Sequence, residues 1–203
     1  MLKELDTQYS NDVVGVDETG RGNFAGSLYV CGVKLKDGFT IEDISIADDS
    51  KKVSANKRIE MAKKLKTMVD YEIVEIYPKY IDDNGLSDAM LHCLTHIKNK
   101  FEGCRYIFDG KADYKSGYEM FVKGDARSSL IATASILAKV KKDFDMLNES
   151  KKYPEYGFET NSGYGTAKHI DAIKKYGYTP LHRKSFKVKA LEGLQIRDYP
   201  EVI

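Results

Sequence analysis

One segment near the N-terminus constrains the fold of this chain most, because it joins an apolar run to two acids and a glycine-rich turn. Residues 13–17 have the β-branched character of a short buried strand that delivers Asp17 and Glu18 to the flexible stretch 20–22. Two carboxylates about 4–5 Å apart repel by roughly 3–4 kcal/mol at an effective dielectric near 20, so a bound cation or a raised pKa would compensate. A solvated turn is the simpler alternative. The glycines let a ligand approach the backbone, and Arg21 can donate to a phosphate or a sugar.

The same segment admits a second interpretation, a dinucleotide-cofactor site. Residues 20–25 read Gly-Arg-Gly-Asn-Phe-Ala, which fits the G-x-G-x-x-A pattern of a phosphate-binding turn. That turn must open a helix whose N-terminus faces the pyrophosphate, whereas residues 28–35 are predicted to form a second strand. Asp17 and Glu18 would also repel phosphate without a metal ion. The pattern is weak alone, and a cofactor enzyme is the lesser alternative.

Two further acids stand at the ends of predicted elements. Asp109 follows the predicted strand 105–108 and precedes Gly110, so it could be a third site carboxylate or a turn residue. Asp125 stands just before a predicted helix, where it could be a ligand or the helix cap. Hard oxygen donors from dispersed positions, without clustered His or paired Cys, favour Mg²⁺ or Mn²⁺ over Zn²⁺. Two such ions about 3.5–4 Å apart are the arrangement that cleaves phosphodiesters.

The hydrophobic periodicity predicts an α/β fold, with a central mixed sheet flanked by helices and a helical C-terminal part. Strands are predicted at residues 13–17, 28–35, 71–77 and 105–108. Helices are predicted at residues 55–68 after a Ser54 cap, after a Ser87 cap, at about 127–147 and at 166–176. Ile59 and Phe144 are assigned to the apolar stripes of the first and third helices. With 203 residues, the chain is expected to form one domain, 1–203.

The composition is that of an ordinary globular protein. The chain is 42% apolar and 31% charged, which offers enough apolar surface to offset the entropy of ordering and excludes the disordered and membrane classes. The N-terminus mixes acids and bases and lacks the apolar core of a signal peptide, so we expect a cytoplasmic protein. Cys31, Cys93 and Cys104 form no Cys-x-x-Cys pair and are predicted to be buried thiols.

The net charge of +1 hides an uneven distribution. Residues 123–189 hold 14 Lys and Arg against 7 Asp and Glu, whereas residues 1–122 hold 17 against 21. A polyanion would therefore bind to the C-terminal part. Aromatic residues lie among these bases and suit stacking on nucleotides, although a solvated basic face over core aromatics is the alternative. They are Tyr153, Tyr156, Phe158, Tyr164, Tyr176, Tyr178 and Phe186.

A series of motifs in order along the chain indicates a family. The matching segments are residues 15–22 with 25–26, 49–52 with Ser54 and Arg58, 88–90, 109–110, 123–125, 132–140 with Asp143, 153–154, 163–166 and 182–186. Chance does not produce so many ordered matches. On these segments, which span residues 13–188, the chain resembles the type 2 ribonucleases H, or ribonuclease HII.

The resemblance implies a ribonuclease-H-like fold, with action on RNA–DNA hybrids and on duplex DNA that contains ribonucleotides, and two divalent cations, Mg²⁺ or Mn²⁺. We expect the protein to act as a monomer. It assigns catalysis and metal binding to Asp17, Glu18, Asp109 and Asp125. Asp143 ranks below Asp125 as a ligand, because it lies deep in a predicted helix where pairing with a base is expected.

The resemblance also assigns residues to the substrate, with the part from about 150 to 203 as the substrate-binding region. Gly20, Arg21 and Gly22 would read the 2′-hydroxyl, and Tyr164 would stack under the neighbouring deoxyribose. Lys51, Lys123 and Arg183 would contact phosphate or support the carboxylates, and Ser185 has a similar supporting role.

The chain departs from the family pattern around the glycine loop, residues 20–26. Asn23 and Ser27 stand where prolines are usual, Thr19 replaces alanine or valine, and residues 161–162 replace a basic pair. These departures leave the carboxylates intact. They affect the rigidity of the loop and the affinity for substrate. They therefore affect how far the family's preference for the RNA–DNA junction applies to this chain.

Two features have plain alternatives. His92 and His96 are four apart on a predicted helix, but no third ligand completes a zinc site, so solvent-facing histidines are expected. The basic run 139–142 could touch nucleic acid or be a solvated helix face.

A metal-free hybrid-binding module is the alternative to a nuclease. A pure binder gains nothing from four acids beside a polyanion, so the carboxylates favour catalysis.

Overall fold

The computed structural model describes residues 3–8, 12–47 and 54–200. Their Cα positions form two compact units. The first comprises Met1–Thr19, Tyr29–Glu75 and Met90–Lys141, and the second comprises Gly20–Leu28, Ile76–Ala89 and Lys142–Ile203. That residues 1–203 act as one catalytic domain stays a prediction.

A five-stranded mixed sheet forms the centre of the first unit. In spatial order the strands are β3 (Val69–Ile76), β2 (Leu28–Leu35), β1 (Val13–Thr19), β4 (Arg105–Asp109) and β5 (Glu119–Phe121). β1 pairs antiparallel with β2 and parallel with β4, and β4 pairs parallel with β5. Val16 lies opposite Phe108 in the parallel register. Asp17 and Asp109, the next residues along, therefore emerge at the same edge of the sheet.

Seven α-helices are described. They are α1 (Ala55–Met68), α2 (Pro78–Asn84), α3 (Leu86–Lys100), α4 (Gly124–Arg127), α5 (Ser129–Lys152), α6 (Phe158–Asn161) and α7 (Ala167–Tyr176). In the first unit, β1, β2, α1 and the N-terminal half of α5 contribute to one hydrophobic core, with Val33, Leu65 and Leu137 fully buried. α5 packs very closely on β1, because a Cβ at Gly15 would lie 2.5 Å from the Leu130 Cβ. Only glycine fits there.

The second unit has its own core, which is rich in aromatic side chains. Tyr156 and Phe158 are stacked at 5.5 Å between ring centroids, and Ile173 of α7 is buried with them. Thr166 caps α7 by accepting a hydrogen bond from the backbone N–H of His169.

The predicted order of elements is largely confirmed. The strand at 28–35 and the helix at 55–68 have the predicted bounds, and the Ser54 hydroxyl accepts from the backbone N–H of Lys57. His92 and His96 are exposed, and Cys31 and Cys93 are buried free thiols, while Cys104 is half-buried. None of the described helices is both long and apolar enough to cross a membrane.

Four local predictions are wrong. Ile59 and Phe144 are 42% and 61% exposed, because those faces of α1 and α5 point away from the core. Ser87 is not a cap, because α3 already begins at Leu86 after Gly85. The cap interpretation of Asp125 is also wrong, because Asp125 lies inside the short α4, whose N-cap position is occupied by Lys123, and the long α5 begins only at Ser129.

Candidate active site

Asp17 and Glu18 lie in the last part of β1, the central strand of the sheet. Asp17 is only 8% exposed, whereas Glu18 is half-buried. The apolar residues before them hold the strand in the core, so the two acids emerge where the buried part of the strand ends. The Asp17 Oδ1 atom accepts a hydrogen bond of 2.8 Å from the backbone N–H of Glu18, which fixes the orientation of the carboxylate.

The environment of Asp17 opposes its negative charge. Burial raises the pKa of Asp17 well above its usual value, and the charges of Glu18 and Asp109 raise it further. A hydrogen bond from the Ser135 hydroxyl and the bond from the Glu18 N–H act in the opposite direction. Ser135 of α5 was not predicted as a site residue. It lies in the segment 132–140, which matches the family, but only the packing of α5 on β1 shows that its hydroxyl reaches Asp17.

Asp109, at the end of β4, is linked to the segment that carries Asp125. Its Oδ1 atom accepts a hydrogen bond of 3.0 Å from the backbone N–H of Gly124. A Cβ at Gly124 would lie 2.8 Å from the Ile131 side chain and 3.3 Å from the Asp109 Cα, so glycine allows this close approach. Asp125 follows directly in α4 and is half-buried. The Lys3 ammonium donates to its backbone carbonyl at 2.7 Å.

The four predicted carboxylates therefore all belong to the first unit. Across residues 3–8, 12–47 and 54–200, no three His, Cys, Asp or Glu side chains stand together as a preformed metal cage. The donor set nevertheless suits a hard divalent cation. All four side chains offer carboxylate oxygens, and the crowding of Asp17 by Glu18 and Asp109 is what a cation would relieve.

Gly20, Arg21 and Gly22, which are predicted to read the 2′-hydroxyl, lie in the glycine loop of the second unit. Gly20 is buried at φ 84°, where a side chain would be strained and would approach the Ser27 carbonyl oxygen at 2.6 Å. Arg21 and Gly22 are exposed, and a Cβ at Gly22 would meet nothing within 4 Å. Chain segment 20–25 leads into β2 and not into a helix, which removes the basis for a dinucleotide site.

Arg183 supports this loop from inside the second unit. It is 2% exposed, and its guanidinium donates to the Gly26 carbonyl at 2.9 and 3.1 Å and to the Arg21 carbonyl at 2.9 Å. This geometry assigns Arg183 to holding the loop. Its two predicted roles, contact with phosphate or support of the carboxylates, stay predictions.

Two of the departures from the family pattern, Asn23 and Ser162, lie where the glycine loop meets the turn before Tyr164. The buried Asn23 amide donates to the Ser162 carbonyl at 2.7 Å, and the Phe24 and Ala25 N–H groups donate to the Gly163 carbonyl. Asn23 therefore joins the two segments with a hydrogen bond that proline could not make.

Tyr164 is 50% exposed, and its ring lies over the ammonium of Lys142, 4.8 Å from the ring centroid. Lys142 is only 1% exposed, so this member of the 139–142 run is not a solvated surface lysine. A cation beneath an aromatic ring stabilises the position of the ring. Sequence reasoning missed this role, because helical charge runs are usually solvated.

The remaining predicted residues have different surroundings. Lys51 lies outside the described residues. Lys123 is exposed and has a left-handed backbone with φ 55°. Ser185 is exposed, and both its hydroxyl and its N–H donate to the Asp82 carboxylate, at 2.6 and 2.9 Å.

Comparison with known proteins shows the family of the chain. Residues 14–102 and 108–189 match the family model described as ribonuclease HII. Ribonuclease HII of Sulfurovum sp. (strain NBC37-1) is 40% identical over 179 residues, covering 88% of this chain and 93% of that protein. Ribonuclease HII of Campylobacter concisus (strain 13826) is 41% identical over 177 residues, covering 87% and 94%.

Solved structures show the same fold. The crystal structure of ribonuclease H2 from Pyrococcus horikoshii OT3 has a TM-score of 0.72 at 26% identity, covering 86% of this chain and 93% of that one. The PCNA:RNase HII complex from Archaeoglobus fulgidus gives 0.71 at 22% identity, covering 81% and 86%. The mixed sheet flanked by helices is thus the predicted ribonuclease-H-like fold. The chain belongs to the ribonuclease HII family and is a nuclease, a hydrolase with the endoribonuclease activity of a ribonuclease H.

Proposed function

We propose that this ribonuclease H cleaves the RNA strand of RNA–DNA hybrids and also cuts on the 5′ side of ribonucleotides embedded in duplex DNA, leaving a 3′-hydroxyl and a 5′-phosphate. The observation that carries the proposal is the crowding of Asp17 by Glu18 and Asp109 at one edge of the sheet. Such crowding disfavours the ionised form of Asp17, and in a nuclease a bound cation compensates for it.

The carboxylates of Asp17, Glu18, Asp109 and Asp125 would hold two divalent cations, Mg²⁺ or Mn²⁺. When bound, such ions supply activation of the attacking water and stabilisation of the leaving oxygen. The chain's own contribution is to fix the carboxylates. The Ser135 hydroxyl and the Glu18 N–H orient Asp17, and the Gly124 N–H orients Asp109.

The glycine loop would discriminate RNA from DNA through the 2′-hydroxyl, the group that distinguishes the two sugars. The space around Gly22 lets a sugar approach the backbone, and Arg21 is exposed beside it. A site built to hydrogen-bond a hydroxyl rejects the analogue lacking it by about 10⁴–10⁵-fold, because its own polar groups are left unpaired. The exposed ring of Tyr164 would stack under the neighbouring deoxyribose, which directs cutting to an RNA–DNA junction.

Several roles rest on these assignments. Lys123 would contact phosphate from its exposed position, Lys51 would do the same, and Ser185 would support the substrate-binding region. The protein would act as a monomer, in ribonucleotide excision repair and in DNA replication. These roles and a cytoplasmic location stay predictions.

The test compares labelled duplexes with and without divalent ions. We expect cleavage of an RNA–DNA hybrid and of a DNA duplex with one ribonucleotide in Mg²⁺ or Mn²⁺, and no cleavage of all-DNA duplex. Excess chelator should abolish both activities and leave the circular dichroism spectrum unchanged, because the ions belong to the reaction and not to the core. Full activity in excess chelator would rule out the metal mechanism.

A further inference from the structure

Two buried histidines in the second unit form a hydrogen-bond chain that ends on the backbone of Tyr164. The Nδ1 atom of His182 lies 2.9 Å from the backbone nitrogen of Thr179, and its Nε2 atom lies 3.0 Å from the Nε2 of His169. The Nδ1 atom of His169 lies 2.8 Å from the Tyr164 carbonyl oxygen. His169, His182 and Thr179 are at most 3% exposed.

The groups at the two ends of this series of hydrogen bonds, the Thr179 N–H and the Tyr164 carbonyl, fix which atom donates in each bond. The Thr179 N–H can only donate, so the Nδ1 of His182 accepts and its proton lies on Nε2. That Nε2–H donates to the Nε2 of His169, so the proton of His169 lies on Nδ1 and is donated to the Tyr164 carbonyl. Both rings are thus neutral, each in a single tautomer.

Apolar surroundings keep the two rings neutral. Phe158 meets His169 edge-on at 5.3 Å between centroids, and Tyr156 lies 5.1 Å from His182. Burial, together with His169, lowers the pKa of His182 to about 3, and burial also lowers the pKa of His169. The chain of hydrogen bonds therefore persists at neutral pH.

The segment 181–183, which carries His182, also holds the glycine loop. Ala25 and His182 form a β-bridge, the Gly26 N–H donates to the Leu181 carbonyl at 2.8 Å, and the Arg183 N–H donates to the Phe24 carbonyl at 2.8 Å. His182 is thus connected through its backbone to the glycine loop and through its ring to His169 and Tyr164.

We propose that His169 and His182 are positioning residues, whose neutral rings fix the Tyr164 carbonyl and hold Tyr164 in register with the glycine loop. The inference rests on the proposed function in one respect, the role of Tyr164 at the RNA–DNA junction. Neither histidine touches the substrate. Each acts through the hydrogen bond that the His169 Nδ1–H donates.

Two substitutions of His169 separate positioning from packing. An asparagine side chain places its amide where Nδ1 stands and can still donate to the Tyr164 carbonyl. A glutamine side chain reaches the Nε2 position, keeps the contact with His182 and fills more volume, but it loses that donor. Positioning therefore predicts that His169→Asn retains more function than His169→Gln, whereas packing predicts the reverse order.

The measurement is kcat and KM on a DNA duplex with one ribonucleotide and on a long hybrid, beside Tyr164→Ala as reference. We expect His169→Gln to lose about tenfold in kcat/KM on the single ribonucleotide, the cost of one buried hydrogen bond. The loss on the long hybrid should be smaller, and His169→Asn, which loses the contact with His182 but keeps the donor to the Tyr164 carbonyl, should lose less than His169→Gln on the single ribonucleotide. Equal or better activity of His169→Gln would overturn the inference.

Nuclear magnetic resonance keeps the inference testable if a variant does not fold or if wild type does not cut single ribonucleotides. Long-range ¹H–¹⁵N spectra of the wild type should show protons on His169 Nδ1 and His182 Nε2. The opposite tautomer in either ring would overturn the positioning role. Failure of the wild type to cut embedded ribonucleotides, with these tautomers present, would instead refute the proposed junction activity alone.

Discussion

Replacing Asp17 with asparagine should abolish cleavage and at the same time stabilise the metal-free protein. Asp17 is nearly buried, and Glu18 and Asp109 oppose its charge. Removing that charge should raise Tm by about 2–4 °C, which corresponds to roughly 1 kcal/mol for a chain of this size. Activity should fall by roughly 10²–10³-fold or more, because several kcal/mol of transition-state stabilisation is lost.

Thermal unfolding with and without Mn²⁺ checks both parts of this prediction. Mn²⁺ should raise the Tm of the wild type and change that of Asp17→Asn far less. Asp70→Asn, which removes an exposed carboxylate from β3 of the same unit, is the matched control and should behave like the wild type. A destabilised Asp17→Asn protein that still responds to Mn²⁺ would show that the carboxylate serves the fold and not the ions.

Asp125→Asn should cost far more activity than Asp143→Asn. Asp125 directly follows Gly124, whose backbone N–H donates to the Asp109 carboxylate. The short segment that orients Asp109 therefore also carries Asp125. Loss of a ligand charge there should reduce kcat by roughly 10²–10³-fold. Asp143 lies within the long α5 helix and belongs to the second unit. Single-turnover rates in saturating Mg²⁺ measure the ranking, and the reverse order would make Asp143 the fourth ligand.

The sequence was most informative where local pattern decides structure. β1, β2 and β4 are apolar runs bounded by glycine or acids, and α1 has its serine cap, so these elements could be predicted within two residues. β5 and α2 were not predicted. β5 has only three residues, all half-buried, and α2 begins at Pro78, directly after the strand predicted at residues 71–77. A proline in this position is compatible with the end of a strand and with the first turn of a helix, so the pattern does not decide between them.

The acids of the candidate site could be found from the sequence because each stands at or near the end of an element. Their supporting contacts could not, because they join residues far apart in the chain. Ser135 reaches Asp17 only through the packing of α5, and Arg183 reaches the glycine loop across more than 150 residues. The His169–His182 pair is likewise invisible in sequence, since thirteen positions separate the two rings.

The chemistry of the cut ends tests the central claim most directly. A DNA duplex with one ribonucleotide, labelled on either side of it, should be incubated with the protein in Mg²⁺ and the products resolved beside chemical standards. If the carboxylates direct water to the phosphate, the nick lies 5′ to the ribonucleotide and leaves a 3′-hydroxyl and a 5′-phosphate. A 2′,3′-cyclic phosphate would mean that the ribose 2′-hydroxyl is the nucleophile, and it would contradict metal-dependent hydrolysis at this site.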